Sequence, residues 1–206
     1  YEKQKELGFA RGYHIEIGGG RRMPSMGLAG IIPDDETSVG DALRHKLRNR
    51  YGSVISFDGR GEMIPNDDCY CEIDPTAKDK WGIPVLRFHW KWGEHETNQA
   101  AHAVKTFLEV IDKLGGTPEP NVETDGRKAI SKGGEMIHEI GTVRMGHNEK
   151  DSVVNQYGQS WAVPNLFVMD GAVMVSSPDK NPTLSILALA WRSADNMATL
   201  AKQGAI

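Results

Sequence analysis

The stretch that decides the fold spans residues 137–201 and contains four ordered segments. It reads I-H-E-I-G-T-V-R-M-G from residue 137, D-S-V-V-N from residue 151, V-P-N-L-F-V-M-D-G from residue 163 and N-P-T-L from residue 181. The apolar run at 165–170 predicts a buried strand, and the apolar run after Pro182 predicts a helix over 183–202. Polar groups stand at both ends of the stretch, and we expect those two ends to form one site.

The predicted helix 183–202 is apolar on nearly every side in its first half. A helix of this kind is normally covered over most of its surface. The rest of the chain offers few elements that could cover it. We therefore expect residues 135–206 to be a segment that completes another domain.

Residues 1–134 predict a separate domain of mixed helices and strands. Strands are predicted over 13–17, 51–57, 68–73 and 85–92, and helices over 38–50 and 97–114. The Pro-, Gly- and charge-rich segment 117–134 is interpreted as the loop that ends this domain. The pattern favours an α+β fold, with a mostly antiparallel sheet backed by helices.

Two elements of this domain are predicted in more detail. The strand 85–92 alternates, so its even-numbered apolar residues, Leu86 among them, should form a packed face. Its polar face should be solvated or border a substrate pocket. The helix 97–114 should have Thr97 as N-cap and end at Gly115-Gly116, with His102 facing solvent. Residues 59–61 are expected to form a turn, and residues 75–81 a loop or helical turn.

Composition excludes several classes of protein. The chain has 206 residues, 39% of them hydrophobic and 25% charged, which is typical of a globular protein. A net charge of -4 argues against nucleic acid as a partner. No apolar run approaches the roughly 20 residues that cross a bilayer. The two cysteines, Cys69 and Cys71, are expected to be free thiols, since neighbours on one strand face are poorly placed for a disulfide.

The four segments, in this order and spacing, resemble the C-terminal part of the glucose-methanol-choline (GMC) family of FAD-dependent oxidoreductases. Within that family, the Asn-Pro-Thr-Leu form at residue 181 is similar to the pyranose 2-oxidase branch. The H-E-x-G-T-x-R-M-G and P-N-L-F-V-x-D-G segments are similar to bacterial glucoside 3-dehydrogenases. The resemblance therefore implies oxidation of a sugar or glycoside hydroxyl to a ketone.

The resemblance also implies roles for individual residues. It makes His138 the base that takes the proton of the substrate hydroxyl, which suits a neutral imidazole at physiological pH. It makes Asn181 the residue that hydrogen-bonds the substrate oxygen. Asp170 and Gly171 would lie along the FAD chain. Asn181, Pro182 and Thr183, at the predicted helix start, would bind the electron-rich edge of the flavin.

One departure from the family concerns the FAD-binding half. Members carry an N-terminal G-x-G-x-x-G unit for the ADP part of FAD, and no such unit follows a strand here. The glycine run at 18–20 does not qualify, because Met23-Pro24 follows it instead of a helix pattern. The chain also begins at Tyr1 instead of Met. We expect an N-terminal FAD-binding half, in the same polypeptide or in a separate chain, and a possible electron-acceptor protein as further partner.

Two other functions are alternatives to this interpretation. A non-catalytic module that binds carbohydrate or a partner would explain the missing FAD motif, although it would not need both His138 and Asn181. A histidine-dependent metal hydrolase is disfavoured, because the seven histidines include no H-x-x-x-H pair or similar cluster. No metal ligand is predicted. The compartment is left open between periplasm and cytoplasm.

Overall fold

The structure, a computed structural model, describes residues 6–20 and 37–206. It divides into two compact units, one formed by Tyr1–Tyr13 with Gly61–Ile206 and the other by His14–Arg60. The predicted interruption at Met23-Pro24 lies outside the described residues.

The smaller unit contains the helix α1 (Gly40–Arg50) and most of the strands β1 (Tyr13–Gly19) and β2 (Ile55–Gly61), which pair in a two-stranded sheet. The end residues Tyr13 and Gly61 of these strands belong to the larger unit. Strand β2 begins later than predicted, since residues 51–53 form a turn. The predicted turn at residues 59–61 is wrong, because these residues continue the strand. Position 61 needs a glycine, because a Cβ there would fall 1.7 Å from Oε1 of Gln99. A larger residue would not allow the chain to pass so close to the Gln99 side chain.

An antiparallel hairpin follows, formed by β3 (Tyr70–Lys78) and β4 (Pro84–His89). Residues 75–81 were predicted as loop, but the strand continues to Lys78. The turn is closed by Asp79, whose Oδ1 accepts hydrogen bonds from the amides of Trp81 (2.8 Å) and Ile83 (2.9 Å). Strand β4 ends at His89, before the predicted end at residue 92. Cys69 and Cys71 are free thiols, as expected.

The apolar face of the hairpin is not packed, contrary to prediction. Leu86 is 57% and Phe88 65% exposed, and Ile73 lies opposite Leu86 on the same face. Alternation correctly gave the two faces of the strand. The apolar face is nevertheless exposed, because this sheet contains only two strands among the residues that the structure describes.

The helix α2 (Glu94–Lys113) belongs to the larger unit and buries Glu96, Gln99 and Ala103 on one face. It begins before the predicted N-cap Thr97, because Glu96 Oε2 accepts a hydrogen bond from the Gly93 amide at 2.9 Å. It ends before Gly115, whose φ is +70°. The short helix α3 (Gly126–Ala129) lies against it: a Cβ on Gly126 would fall 1.8 Å from the Thr97 carbonyl oxygen.

The expectation that His102 faces solvent is wrong. Its Nδ1 lies 2.8 Å from the hydroxyl of Tyr13, and its ring contacts Phe9 edge-on with centroids 5.4 Å apart. Phe9 is buried and also contacts His95. The N-terminal segment, which had no predicted structure, therefore anchors to α2 through an aromatic cluster.

The C-terminal part contains the parallel pair β5 (Met145–Gly146) and β6 (Val154–Asn155), a 3-10 helix (Gly171–Val173) and the helix α4 (Thr183–Lys202). Helix α4 has the predicted limits. The predicted strand 165–170 is wrong: it forms a single bridge, Gln159–Phe167. The chain turns there instead, since the Leu166 amide bonds the Val163 carbonyl oxygen at 2.9 Å.

The described elements are a mixture of helices and small sheets, compatible with the predicted α+β class. The predicted single antiparallel sheet is not found in this part of the chain. Three two-stranded sheets take its place, and β5–β6 is parallel. On the exposed side of α4, Leu184 and Trp191 are 79% and 74% exposed. This helix thus presents the uncovered apolar surface that its sequence predicts.

Candidate active site

Two of the four sequence segments meet at Gly171, together with the first turns of α4. The amide of Gly141 donates a hydrogen bond to the Gly171 carbonyl oxygen at 3.3 Å, and the amide of Val143 donates to that of Ala172 at 3.0 Å. A Cβ built on Gly171 would lie 3.2 Å from Cγ2 of Ile140 and 3.2 Å from Cδ1 of Ile186. The histidine segment, the Asp-Gly segment and the first turns of α4 are therefore joined in one place.

Gly171 is buried, and a side chain there would press against Ile140 and Ile186. Asp170 is exposed, and its Oδ1 accepts a hydrogen bond from the Ala172 amide at 2.8 Å, which caps the 3-10 helix. The Asp-Gly pair follows irregular chain rather than the predicted strand. Its conformation is set by this local cap and by the contacts of Gly171.

His138 has φ +82°, a left-handed conformation that residues other than glycine rarely adopt. Its side chain is partly exposed. Among residues 6–20 and 37–206 its ring makes no hydrogen bond, so both nitrogens can meet a ligand. A neutral imidazole in this situation can accept a proton. Backbone strain of this kind is found preferentially at functional sites.

Helix α4 starts without a side-chain cap. Its N-cap residue is Pro182, and the first intrahelical bond runs from the Ile186 amide to the Pro182 carbonyl oxygen at 2.9 Å. No acidic residue lies in the first turn. The amides of Thr183 and Leu184 have no hydrogen-bond partner in the described part of the chain, and they form the positive end of the helix. Such an end suits a negatively polarised ligand group.

No hydrogen bond joins His138 and Asn181, both of which lie in the described part of the chain. Asn181 is exposed, and its amide makes no hydrogen bond within the described ranges. The segment of His138 and the first turns of α4 approach each other at Gly171, where Ile140 and Ile186 pack. The sequence did not predict these two isoleucines as parts of the site. The signal that could have found them is the glycine after Asp170, which leaves room for large neighbours.

Ion pairs and hydrogen bonds shift the pKa of several groups on and beside the hairpin. Lys91 Nζ lies 2.7 Å from Asp68 Oδ2, which lowers the pKa of the carboxyl and raises that of the ammonium group. The amides of Ala77 and Thr76 and the Thr76 hydroxyl lower the pKa of Asp74. A concavity at the start of α2 includes Trp92 and Arg127, but none of the predicted site residues.

Two further findings concern the described ranges only. They contain no group of three or more His, Cys, Asp or Glu residues that could hold a metal ion. None of their helices has the length and hydropathy needed to cross a bilayer.

Comparison with known proteins identifies the family. The family model described as GMC oxidoreductase matches residues 65–190, more than half of the chain. The chain belongs to the GMC oxidoreductase family. The match contains every residue that the sequence predicted for the site, from His138 to Thr183, and the predicted resemblance is confirmed.

Individual GMC relatives carry dehydrogenase and oxidase names. The chain is 31% identical over 199 residues to 2-methyl-1,2-propanediol dehydrogenase of Mycolicibacterium austroafricanum, covering 95% of this chain and 34% of the relative. It is 27% identical over 193 residues to gluconate 2-dehydrogenase flavoprotein of Pantoea cypripedii, covering 91% and 30%. Identity to a C-glycoside 3-oxidase of Arthrobacter globiformis is 32% over 127 residues, covering 61% and 23%. The chain thus spans about a third or less of the length of these relatives.

Proposed function

We propose that this chain is the C-terminal part of an FAD-dependent oxidoreductase that oxidises a sugar or glycoside hydroxyl to a ketone. The observation that carries the proposal is the junction at Gly171, which joins the segment of His138 to the start of α4. Family membership supports it, as do relatives named for gluconate and for C-glycosides.

The residues present fit a flavin cofactor. The start of α4 offers uncapped amides and no competing acid, so Asn181, Pro182 and Thr183 would hold the electron-rich edge of the ring system. Asp170 and Gly171, in the adjoining segment, would hold the chain of FAD. Gly171 would contribute its backbone, because its missing side chain already serves the packing of Ile140 and Ile186.

The reaction requires the loss of a proton and of a hydride from the same alcohol group. When bound, FAD supplies the two-electron acceptor that takes the hydride from the carbon. His138 takes the hydroxyl proton, and the electron pair of that O–H bond forms the carbonyl. Asn181 donates an amide hydrogen to the same oxygen and stabilises the negative charge that develops there. The polar face of the hairpin, which includes His89 and Glu72 at 2.8 Å, borders the substrate in this proposal.

The proposal assigns the parts of the chain to two domains. Residues 1–134 form the substrate-binding domain, and residues 135–206 complete the FAD domain. An N-terminal half, in the same polypeptide or in a separate chain, supplies the site for the ADP part of FAD. That half would cover the exposed apolar side of α4, including Leu184 and Trp191. A separate electron-acceptor protein is a further partner in this proposal.

The test is the rate of flavin reduction by a glycoside substrate in the flavin-containing protein that includes this chain. His138→Ala should lower the rate constant by about 10²- to 10⁴-fold, the usual contribution of a general base. His147→Ala is the matched control, because His147 is an exposed histidine in the same segment. Equal rates in the two variants would contradict the assignment of His138. Protein that binds no flavin even with its N-terminal half would favour the binding-module alternative.

A further inference from the structure

Two tryptophans at the end of the hairpin hold the segment that precedes His138. The indole Nε1 of Trp92 donates a hydrogen bond to the Ser131 carbonyl oxygen at 2.7 Å. Gly133 lies against the ring of Trp90, since a Cβ there would fall 2.7 Å from Cε3. The two indole rings contact each other edge-on, with centroids 4.2 Å apart. The segment around Ser131 and Gly133 is therefore held both by the Trp92 hydrogen bond and by close packing against the Trp90 ring.

A local turn continues this anchor toward His138. The Lys132 amide donates to Oε2 of Glu135 at 2.9 Å, and the Glu135 amide donates to the Lys132 carbonyl oxygen at 3.2 Å. Beyond His138, the Gly141 amide binds the Gly171 carbonyl oxygen. His138 thus lies on a short stretch that is tied down at both ends.

The strained backbone of His138 requires such anchors. Residues other than glycine rarely adopt a φ of +82°, and such a conformation persists only where its surroundings over-determine it. Rotation about the N–Cα bond moves the Cβ and with it the imidazole ring. Whatever fixes the ends of this stretch therefore fixes the direction of the ring.

We propose that Trp92 and Trp90 are positioning residues for His138, acting through Ser131 and Gly133. This inference rests on the proposed function, in which His138 is the base. Loss of the Trp92 N–H leaves the Ser131 carbonyl without its partner and loosens the N-terminal anchor. His138 can then relax toward negative φ, which carries its ring out of line with the substrate hydroxyl. Small misplacements of a reacting group are costly in rate.

The experiment compares Trp92→Phe with Trp81→Phe in the complete flavin-containing protein. Both variants replace an indole by a phenyl ring, but Trp81 is 73% exposed, and its side-chain N–H has no acceptor among the described residues. Two quantities are measured: the flavin reduction rate as a function of substrate concentration, and amide hydrogen exchange across residues 131–141.

Trp92→Phe should lower the limiting reduction rate about tenfold, with the half-saturating substrate concentration within about twofold of the parent value. Its amides after Ser131 should exchange faster, while Trp81→Phe changes neither quantity. Equal rates and equal exchange in the two variants would overturn the proposal, as would faster exchange with an unchanged rate. If Trp92→Phe does not fold, Gly133→Ala disturbs the same anchor through the Trp90 ring and should give the same pair of changes.

The two proposals fail in different ways. If His138→Ala leaves flavin reduction unchanged, the base assignment is lost. If His138→Ala abolishes reduction but Trp92→Phe leaves rate and exchange unaltered, the base assignment stands and the positioning role is lost.

Discussion

The amide of Gly141 donates a hydrogen bond to the carbonyl oxygen of Gly171 at 3.3 Å. This bond joins the segment of His138 to the segment of Asp170, which lie far apart in the sequence. The contact is between backbone atoms, so it holds the two segments together without using a polar side chain. The side chains of His138 and Asn181 are left available for a ligand.

The first prediction concerns the packing of Gly171. Gly171→Ala would place a Cβ 3.2 Å from methyl carbons of Ile140 and Ile186, which is closer than ordinary contact. Overpacking of this kind usually costs about 1–3 kcal/mol of unfolding free energy. Denaturant unfolding measures the loss.

Two further variants make this test specific. Gly12→Ala should be nearly neutral, because no atom lies within 4 Å of a Cβ there. Ile186→Val removes the methyl carbon that meets the new Cβ, so adding it to Gly171→Ala should recover part of the loss. If the losses of unfolding free energy from the two substitutions simply add, the new Cβ at position 171 does not contact Ile186.

The second prediction concerns the buried carboxylate of Glu96. One oxygen accepts the Gly93 amide at 2.9 Å and caps α2, and the other accepts the Ile64 amide at 3.0 Å. Glu96→Ala leaves two donors without an acceptor and should cost about 2 kcal/mol. Glu94→Ala, an exposed acid in the same helical turn, should change the midpoint of denaturation little. Similar losses from the two variants would contradict the bridging role of Glu96.

The third prediction concerns the acid limb of stability. The Asp74 carboxylate accepts hydrogen bonds from the Ala77 amide (2.7 Å), the Thr76 amide (2.8 Å) and the Thr76 hydroxyl (3.0 Å), and these lower its pKa below the ordinary 3.8. A carboxyl whose pKa is lowered by folding stabilises the protein above its unfolded pKa. That stabilisation is lost as the pH falls through the folded pKa.

Asp74→Asn keeps an oxygen acceptor for this turn, but the amide side chain does not titrate. Unfolding free energies measured between pH 6 and pH 3 should therefore fall less steeply in this variant than in the parent protein. Asp67→Asn changes an exposed carboxylate that makes no hydrogen bond in the described ranges, and should leave the acid limb unchanged. A parallel pH profile in the Asp74 variant and the parent would rule out the linkage.

The sequence predicted best those elements whose signals are local. Helix α4 has the predicted limits, since Pro182 ends the preceding turn and an unbroken apolar pattern follows it. Helix α2 was also found, although its start is set by Glu96 instead of Thr97. The helix starts earlier because the Glu96 carboxylate accepts a hydrogen bond from the Gly93 amide. Choosing an N-cap by residue type alone does not reveal such a bond.

Burial was harder to predict than secondary structure. Alternation in β4 gives the faces of the strand but not whether another layer covers them, so Leu86 and Phe88 are exposed against expectation. The run at 165–170 looks like a buried strand, yet it turns after Pro164 and finds only one bridge. At the site, the sequence pattern indicated His138 and Asn181 as candidate residues. The junction of Ile140, Gly171 and Ile186 could not be predicted from the sequence, because it depends on long-range packing.

The last prediction concerns the strain at His138. Because its φ of +82° is unfavourable for a side chain with a Cβ, His138→Gly should relieve strain and offset the entropy that glycine adds to the unfolded chain. His147 is exposed and has no positive φ, so His147→Gly brings only the entropic cost of up to about 1 kcal/mol. We expect His138→Gly to be at least about 1 kcal/mol more stable than His147→Gly in denaturant unfolding, while flavin reduction is lost only in the former. Equal destabilisation by the two glycines would show that the backbone of His138 stores no strain. Unimpaired flavin reduction in His138→Gly would contradict the assignment of His138 as the base.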